Sequence, residues 1–497
     1  MRPGLILAID QGTTNTKALL VSSEGASVFR ASVPVELLHF ASGHVEQDPQ
    51  LLWNSVRAVI TECVEFASSS GQAIEAVAIS NQRETAVAWD VESGVPIGNA
   101  MSWQCGRSTD ICLRLEAHTR QVRAATGLPL ATLISAGKWA WLVENNPKAQ
   151  SAAQASSLRF GTVDSWLIHC LTAGSVHATD LTNASRTGLL NLEHLAWDRA
   201  LLHLFGIPIA AMPELRDSSG LFGTCVGIPG LEGVPILAAI GDSHAAMFGH
   251  GKYAPGSVKA TYGTGSSLMA LTPRLAPDTP TLARTIAWSI TGKPQFALEG
   301  NIAMTGSAVQ WVGEFLQLLD PAVQAAALAQ TVADSDGVYF VPAMVGLGAP
   351  HWDSTARGTI SGLARSHTAA HLARSAVDAI AFQVADVFIA MEQACGMDFP
   401  GLLTDGGATR NSALMQFQAD ILDCPVLRST QEELSAMGAA WLAGLALEWW
   451  SGLSEIAALH QVADRFSPAM DQPTRERKLC GWRTAIARAR LRAEAKA

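Results

Sequence analysis

Two places in the chain carry residue types suited to chemistry. In AAIGDSHAAMFGH (238–250) a carboxylate and a hydroxyl stand side by side, and they point to different reactions. With Ser243 as the working residue, the stretch reads as the nucleophile of a serine hydrolase, which needs a partner His and an oxyanion hole. With Asp242 it reads as the base of a group-transfer enzyme, taking the proton of an acceptor hydroxyl during in-line phosphoryl transfer. A structural role competes with both, because AAMFGH begins a helix and Asp is a good N-cap. The second place is double: DQGTTNTK (10–17) and TYGTGSS (261–267) each put a tight Gly/Thr/Ser turn between two apolar runs. Glycine lets the backbone approach a ligand closely, and successive N–H groups with hydroxyls beside them form a concavity for phosphate oxygens. One such turn is as readily a plain hairpin. Two in equivalent places point to a nucleotide held between two halves of the molecule, one turn on each side of its phosphates. Lys17 would then bring positive charge to a terminal phosphate, and Asp10 would hold the water shell of its metal. No Walker A sequence, kinase Gly-rich loop or GxGxxG fingerprint accompanies them, which disfavours those nucleotide-binding folds.

The elements that must position these groups repeat along the chain. LILAID, KALLVSS and SVFRASVPV read as a three-strand meander with turns at QGTTNT and SEG. A helical period follows over 51–67, then a buried strand AVAIS (76–80) opens onto the polar stretch NQRET. After residue 250 a similar order returns. SVKATY and LMAL flank the turn GTGSS, and TIAWSITGKPQFALEG supplies two more strands. Helical stretches follow at 303–318 and 368–394, and LLT runs into DGG (405–407) with a helix from about Asn411. The fold class is therefore α/β in two halves, divided near 250 at GHGKYAPGS.

Bulk properties narrow the function. A chain of 497 residues exceeds one ordinary core, so two domains are expected. Hydrophobic residues make up 48% and charged residues 16%, a globular composition. The net charge is −10, and the one stretch dense in Arg (483–496) alternates with Ala and Leu as a helix face does, so no nucleic-acid partner is expected. Eight dispersed cysteines without metal spacing suit a reducing cytoplasm. LILAI is too short for a signal sequence. LSAMGAAWLAGLALEWW (434–450) is shorter than a membrane span and reads as a buried helix, so no membrane role is expected.

The stretches DQGTTNTK, NQRET, WQCGR, GTVDSWLI, TDLTNASRT, YGTGSS, GLGAPHWD, DGGATRNSALMQFQAD and SAMGAAWLAG stand in the order they have in the FGGY family of carbohydrate kinases. GLARSHTAAHLARSAVD (362–378) is similar to one of that family's signatures. The resemblance covers nearly all of 4–485 and is strongest to the family's glycerol-phosphorylating branch. It implies two ribonuclease-H-like domains of the actin/hexokinase/Hsp70 superfamily with an active site in the cleft between them. Residues 1–250 would hold the polyol or sugar and the first phosphate turn, and 251–497 the adenosine and the second. It further implies ATP with Mg²⁺, domain closure, a small polyol or sugar as partner, and a homo-oligomer, dimer or tetramer. Asp242 matches the catalytic base and, with Asp10, a water-mediated hold on Mg²⁺. Arg83 and Glu84 match the polyol-binding pair: a donor-only group beside an acceptor-only one sets the direction of each hydroxyl hydrogen bond. Their competing reading is a surface ion pair. Trp103 matches an indole packed on the carbon side of the polyol, its alternative being an ordinary core residue. For ATP the matched positions are Thr13, Thr14, Asn15, Lys17 and Thr264, then Gly306, Gln310, Gly407 and Asn411. Gly306 reads alternatively as helix–helix packing and Gln310 as a solvated position. Lys17 stands where the family often has Arg, which keeps the charge and loses the planar fork.

Three acceptor positions depart from the glycerol-phosphorylating pattern: Leu133 replaces a Tyr, Ser243 a Gln and Ser267 a Phe. All three changes remove bulk and two remove rings, so an acceptor longer than glycerol, a polyol or ketose of four or five carbons, is expected. Glycerol remains the alternative, the room being filled by neighbours or water. An ATP-switched binding protein of the actin or Hsp70 kind is a lower alternative, since it needs no polyol pocket.

Overall fold

The run LILAI is apolar on both faces, which suits a strand covered from both sides. In the computed structural model, which describes residues 4–431, 433–460 and 462–491, it forms the central strand β1 (Gly4–Gln11). Leu5, Leu7 and Ile9 pack with Leu52, Val56 and Val59 of the helix Pro49–Ser69. That helix starts where Asp48 accepts a hydrogen bond from the Gln50 amide (2.7 Å) ahead of a first-turn proline. On the opposite face Ile6 and Ala8 pack with Met437, Ala440 and Trp441 of the helix Leu434–Ala446. This helix is apolar all round and buried, as expected, and Gly438 lets it lie against the helix Asp242–Gly249: a Cβ there would meet the Ala245 oxygen at 1.9 Å. A late segment of the chain thus covers the first half's sheet.

The strands of the main sheet, numbered along the chain, continue as β2 (Asn15–Ser22), β3 (Ser27–Pro34), β4 (Ala73–Asn81), β5 (Ser219–Thr224) and β6 (Pro235–Gly241). After the linker come β7 (Val258–Tyr262), β8 (Ser266–Thr272), β9 (Ala283–Ile290), β10 (Lys293–Ile302), β11 (Leu402–Asp405), β12 (Val426–Ser429) and β13 (Val462–Phe466). They form one sheet in the order β13-β12-β11-β7-β8-β10-β9-β5-β6-β4-β1-β2-β3. Each half has the same core order. An antiparallel meander (β3-β2-β1, β10-β8-β7) is followed by two strands parallel to its first member (β4 and β6, β11 and β12). Within the sheet the halves join through a single residue pair of β5 and β9, Ser219 with Ile290.

The second half has its own core around the helix Ala369–Cys395, which Gly396 ends at φ +66°. The expected two-domain α/β organisation is present. Both turns are shorter than expected: Gln11 belongs to β1 and Asn15 and Thr16 to β2, and the second turn ends at Gly265, with Ser266 and Ser267 already in β8. No helix of the described residues is long and apolar enough to cross a membrane. The Arg-rich stretch begins inside the helix Gln472–Ala489, and its end, 492–496, lies outside the described residues.

Candidate active site

Strands β1, β4 and β6 are parallel neighbours, with Asp10 beside Ser80 and Gly241 beside Asn81, so their carboxyl ends open at one edge. Ligands of open α/β sheets bind at such edges. Asp10 accepts from Ser80 Oγ (2.9 Å), and burial together with the Asp242 charge raises its pKa to about 6. Asp242 is the first residue of its helix. Its Oδ1 accepts from the Ser243 amide (2.6 Å) and lies 3.2 Å from Arg83 Nε, and 38% of its side chain stays open. Burial pushes this carboxyl up and Arg83 opposes the shift. Gly241 is required just before it, because a Cβ would meet Arg83 Cγ and Cδ at 2.7 Å. The N-cap of this helix is Gly241, so Asp242 does not take the capping position; its carboxylate holds the Ser243 amide and stays partly open.

Arg83 and Glu84 are brought to the site but do not pair with each other. Arg83 Nη1 donates to Glu299 Oε1 (2.7 Å), and Arg186 Nε donates to Glu84 Oε1 (2.6 Å). Arg186 Nη1 also lies 3.0 Å from Glu299 Oε2, too oblique for a hydrogen bond. Burial would raise the Glu299 carboxyl, but Arg186 and Arg83 outweigh it and hold it well below the usual carboxylate range. Glu84 sits at φ +61°, a conformation costly for a side-chain residue and held here by Arg186. These groups are buried, which replaces the surface ion-pair reading with an interior network. Trp103 is not a core residue either: it is 38% exposed, and its indole Nε1 donates to Thr13 Oγ1 (3.0 Å) at the first turn.

The two turns are built differently. In the first, Gly12 N donates to Asn15 O (2.9 Å), Asn15 Nδ2 to Thr14 Oγ1 (3.2 Å), and Thr14 is exposed. Lys17, expected beside a phosphate, instead donates to Glu433 (2.7 Å), which also holds Arg30 (2.7 Å). In the second, Gly263 N donates to Gly265 O (2.9 Å) and Thr264 is exposed. The helix Gly306–Phe315 starts on this turn through Gly306 N to Gly263 O (3.0 Å) and Ser307 N to Thr264 O (3.1 Å). A Cβ on Gly306 would meet the Gly263 oxygen at 2.6 Å, so this glycine serves close approach to the turn, not packing between helices. Gln310 is exposed and donates to Glu314 (2.9 Å). Gly407 faces open space, with nothing within 4 Å of a Cβ, while Asn411 caps the helix Ser412–Leu422 through Leu414 N (3.1 Å).

Ser243 lies beside Lys259, whose Nζ donates to its Oγ (2.8 Å), and 3.2 Å from Ser267 Oγ. His244 is buried, bonded to Thr285 (3.1 Å), and held neutral by burial and by Arg83. Among the described residues no histidine pairs with Ser243, so the serine–histidine arrangement that the hydrolase reading needs is absent. Leu133 is half-buried, its carbonyl accepting from Lys138 Nζ (2.6 Å).

Residues 5–249 match the FGGY family of carbohydrate kinases, N-terminal domain, and residues 258–447 match that family's C-terminal domain. The chain belongs to the FGGY family of carbohydrate kinases. This kinase is 42% identical to glycerol kinases of Burkholderia ambifaria (over 497 residues) and Symbiobacterium thermophilum (over 494), each alignment covering 99% of both chains. Its structure superposes on Plasmodium falciparum glycerol kinase with ADP at a TM-score of 0.93, with 31% identity and 99% of each chain covered. A ligand-bound xylulose kinase from Lactobacillus acidophilus shares the fold, with a TM-score of 0.86, 23% identity and 98% of each chain covered. The protein is a phosphotransferase acting on an alcohol group, with ATP and Mg²⁺ as its cofactors.

The kinase's own residues fit those groups. Among the described residues no cluster of three His, Cys, Asp or Glu side chains can hold a bare metal ion. Asp10 and Asp242, both pushed up by burial, instead offer two carboxylates to a hydrated cation that would relieve them. Gly407 leaves room beside the backbone for an adenosine.

Four residues around these groups, Glu299, Lys259, Arg186 and Glu433, have no role assigned from the sequence. A lysine inside the strand SVKATY is the one available signal, although alternation puts it on the face opposite Val258, Ala260 and Tyr262; Glu299 in FALEG gives none.

Proposed function

We propose that this kinase moves the γ-phosphoryl group of ATP to a terminal hydroxyl of a polyol or ketose of four or five carbons, with Asp242 as the base. The reading rests on one observation: beside the open Asp242 carboxylate stand two half-exposed serines, Ser243 and Ser267, with their hydroxyls 3.2 Å apart and no ring between them. Arg83 and Glu84, oriented by Glu299 and Arg186, give the acceptor one donor and one acceptor partner. Trp103 covers its carbon side, and Leu133 lines the space beyond. Asp242 takes the hydroxyl proton as the new bond forms. When bound, the nucleotide with Mg²⁺ supplies the phosphoryl group and neutralises its developing charge.

Thr13, Thr14, Asn15 and Thr264 cradle the phosphates, and Lys17 reaches them by exchanging Glu433 for them. Gly306, Gln310, Gly407 and Asn411 line the adenosine side. Residues 1–250 carry the acceptor and the base and 251–497 the nucleotide, and closure of the two excludes water. The eight cysteines, all free, fit the cytoplasm, and a homo-oligomer, dimer or tetramer, is the expected assembly.

The second reading, glycerol as acceptor, is favoured by the 42% identity to proteins named glycerol kinase. Coupled ADP release against glycerol, erythritol, threitol, pentitols, ketoses and dihydroxyacetone separates the two. A four- or five-carbon acceptor is expected to give the highest kcat/KM, and Asp242→Asn to lower kcat by about 10²–10⁴-fold with the fold intact. Glycerol as best acceptor overturns the longer-substrate reading. Turnover surviving Asp242→Asn removes the base, and ATPase without acceptor dependence revives an ATP-switched binding protein.

A further inference from the structure

Across β7, β8 and β10, Lys259, Met269 and Glu299 stand in register, with Thr261 paired to Ser267 one step along the same face. Lys259 is fully buried, and its Nζ donates to Ser243 Oγ and Thr261 Oγ1, both at 2.8 Å. Ser243 Oγ lies 3.2 Å from Ser267 Oγ, which lies 3.3 Å from Glu299 Oε1. The two serines that depart from the glycerol-phosphorylating pattern are thus strung between a buried ammonium and a buried carboxylate. Burial draws the Lys259 pKa down and the Arg83 charge adds to that, while Asp405, Glu299 and Asp242 oppose it.

The ends of this chain set the direction of its middle. An ammonium only donates, and an ionised carboxylate only accepts. Ser243 Oγ, receiving from Lys259, must turn its own proton to Ser267, and Ser267 must turn its proton to Glu299. No other hydroxyl arrangement satisfies all three contacts. Both protons are then committed inside the protein, and each serine oxygen keeps one lone pair for a ligand.

We propose that Lys259 is a positioning residue that, through Ser243 and Ser267, makes the far end of the acceptor pocket an accepting surface, so that the kinase selects an alditol over the ketose of the same length. A hydroxyl lying against the serines can donate to them, whereas a carbonyl there meets lone pairs with lone pairs. The proposal rests on the reading that the acceptor is longer than glycerol.

The test compares kcat/KM for erythritol, threitol, erythrulose and glycerol in the wild-type enzyme and in Ser243→Ala, Ser267→Ala and Lys259→Met. Erythrulose is too short to close a stable ring, so both four-carbon classes are presented open-chain. The wild type is expected to favour its better tetritol over erythrulose by at least about tenfold, the factor that about 1.4 kcal/mol supplies. Ser267→Ala and Lys259→Met are expected to bring that ratio toward unity, mainly through a higher KM for the tetritol, a change that loss of fold alone would not make. Ser267→Ala alters a half-exposed side chain by one oxygen, so it reports even if Lys259→Met fails to fold. Tetritol and erythrulose used equally well, both above glycerol, overturn the polarity inference and leave the longer acceptor standing. A ratio unchanged in both serine variants also overturns it. Glycerol above both four-carbon acceptors defeats the underlying reading itself.

Discussion

The two halves share a five-strand frame but load it differently. In the first, the charged groups stand where parallel strands end: Asp10 near the end of β1, Arg83 and Glu84 after β4, Asp242 after β6. In the second, Lys259, Ser267 and Glu299 project from inside β7, β8 and β10, on one face of the sheet. The turns differ as well. The first is held by backbone bonds, Gly12 N to Asn15 O and Val35 N to Thr14 O, and by side chains, Trp103 on Thr13 and Glu433 on Lys17. The second is clamped by backbone bonds to the helix Gly306–Phe315. One half thus gathers its charged groups at strand ends, and the other supplies buried counter-charge from within its strands. Glu299 crosses between them, since it belongs to β10 but neutralises Arg83 and Arg186 of the first half.

Removing that crossing charge should have the largest effect. Glu299→Gln leaves two buried guanidiniums short of an anion and is expected to cost about 3–5 kcal/mol in denaturant unfolding. Glu433→Gln frees Lys17 and Arg30, which reach solvent, and should change stability by less than about 1 kcal/mol. Equal costs would mean that Glu299 is no more than another surface partner.

Two glycines of the second half, Gly306 against the second turn and Gly407 after β11, can be compared with each other. Gly306→Ala forces a Cβ to within 2.6 Å of the Gly263 oxygen, and the strain should destabilise by about 1–3 kcal/mol and raise the KM for ATP. Gly407→Ala meets nothing in the free protein, so its unfolding should stay within about 0.5 kcal/mol of wild type while KM for ATP still rises. A KM unaffected by Gly407→Ala would place the adenosine elsewhere.

The smallest effect concerns Asp10, whose pKa is raised from 3.8 to about 6. A raised carboxyl pKa means the folded state holds the proton more tightly. Its favourable contribution is therefore full below pH 3.8 and is lost as pH rises through 6. Without Mg²⁺, Asp10→Asn should raise Tm at pH 7–8 by about 1–3 °C, with the gain vanishing near pH 4, while Mg²⁺-dependent turnover falls. A gain that persists at pH 4 would assign the effect to something other than the buried charge.

Much of the fold was legible because its signals are local. The meanders, the two turns, the carboxylate after LAAIG and the buried helix from Leu434 all follow from runs of neighbouring residues. The turn GTGSS was read two residues too long, because Ser266 and Ser267 look like turn residues until β10 pairs with them. Arg83 and Glu84 match a polyol-binding pair by resemblance, but neighbouring residues alone do not show that Arg83 turns to Glu299 and Glu84 to Arg186.

By itself the sequence determined the family, the duplicated α/β frame and the acid at 242, since turns, strand runs and caps are set within a few residues of chain. Only the tertiary structure decided which charges meet. Electrostatic partnership depends on distance in a buried space, and Glu299 reaches Arg83 across 216 positions of sequence, as Glu433 reaches Lys17 across 416.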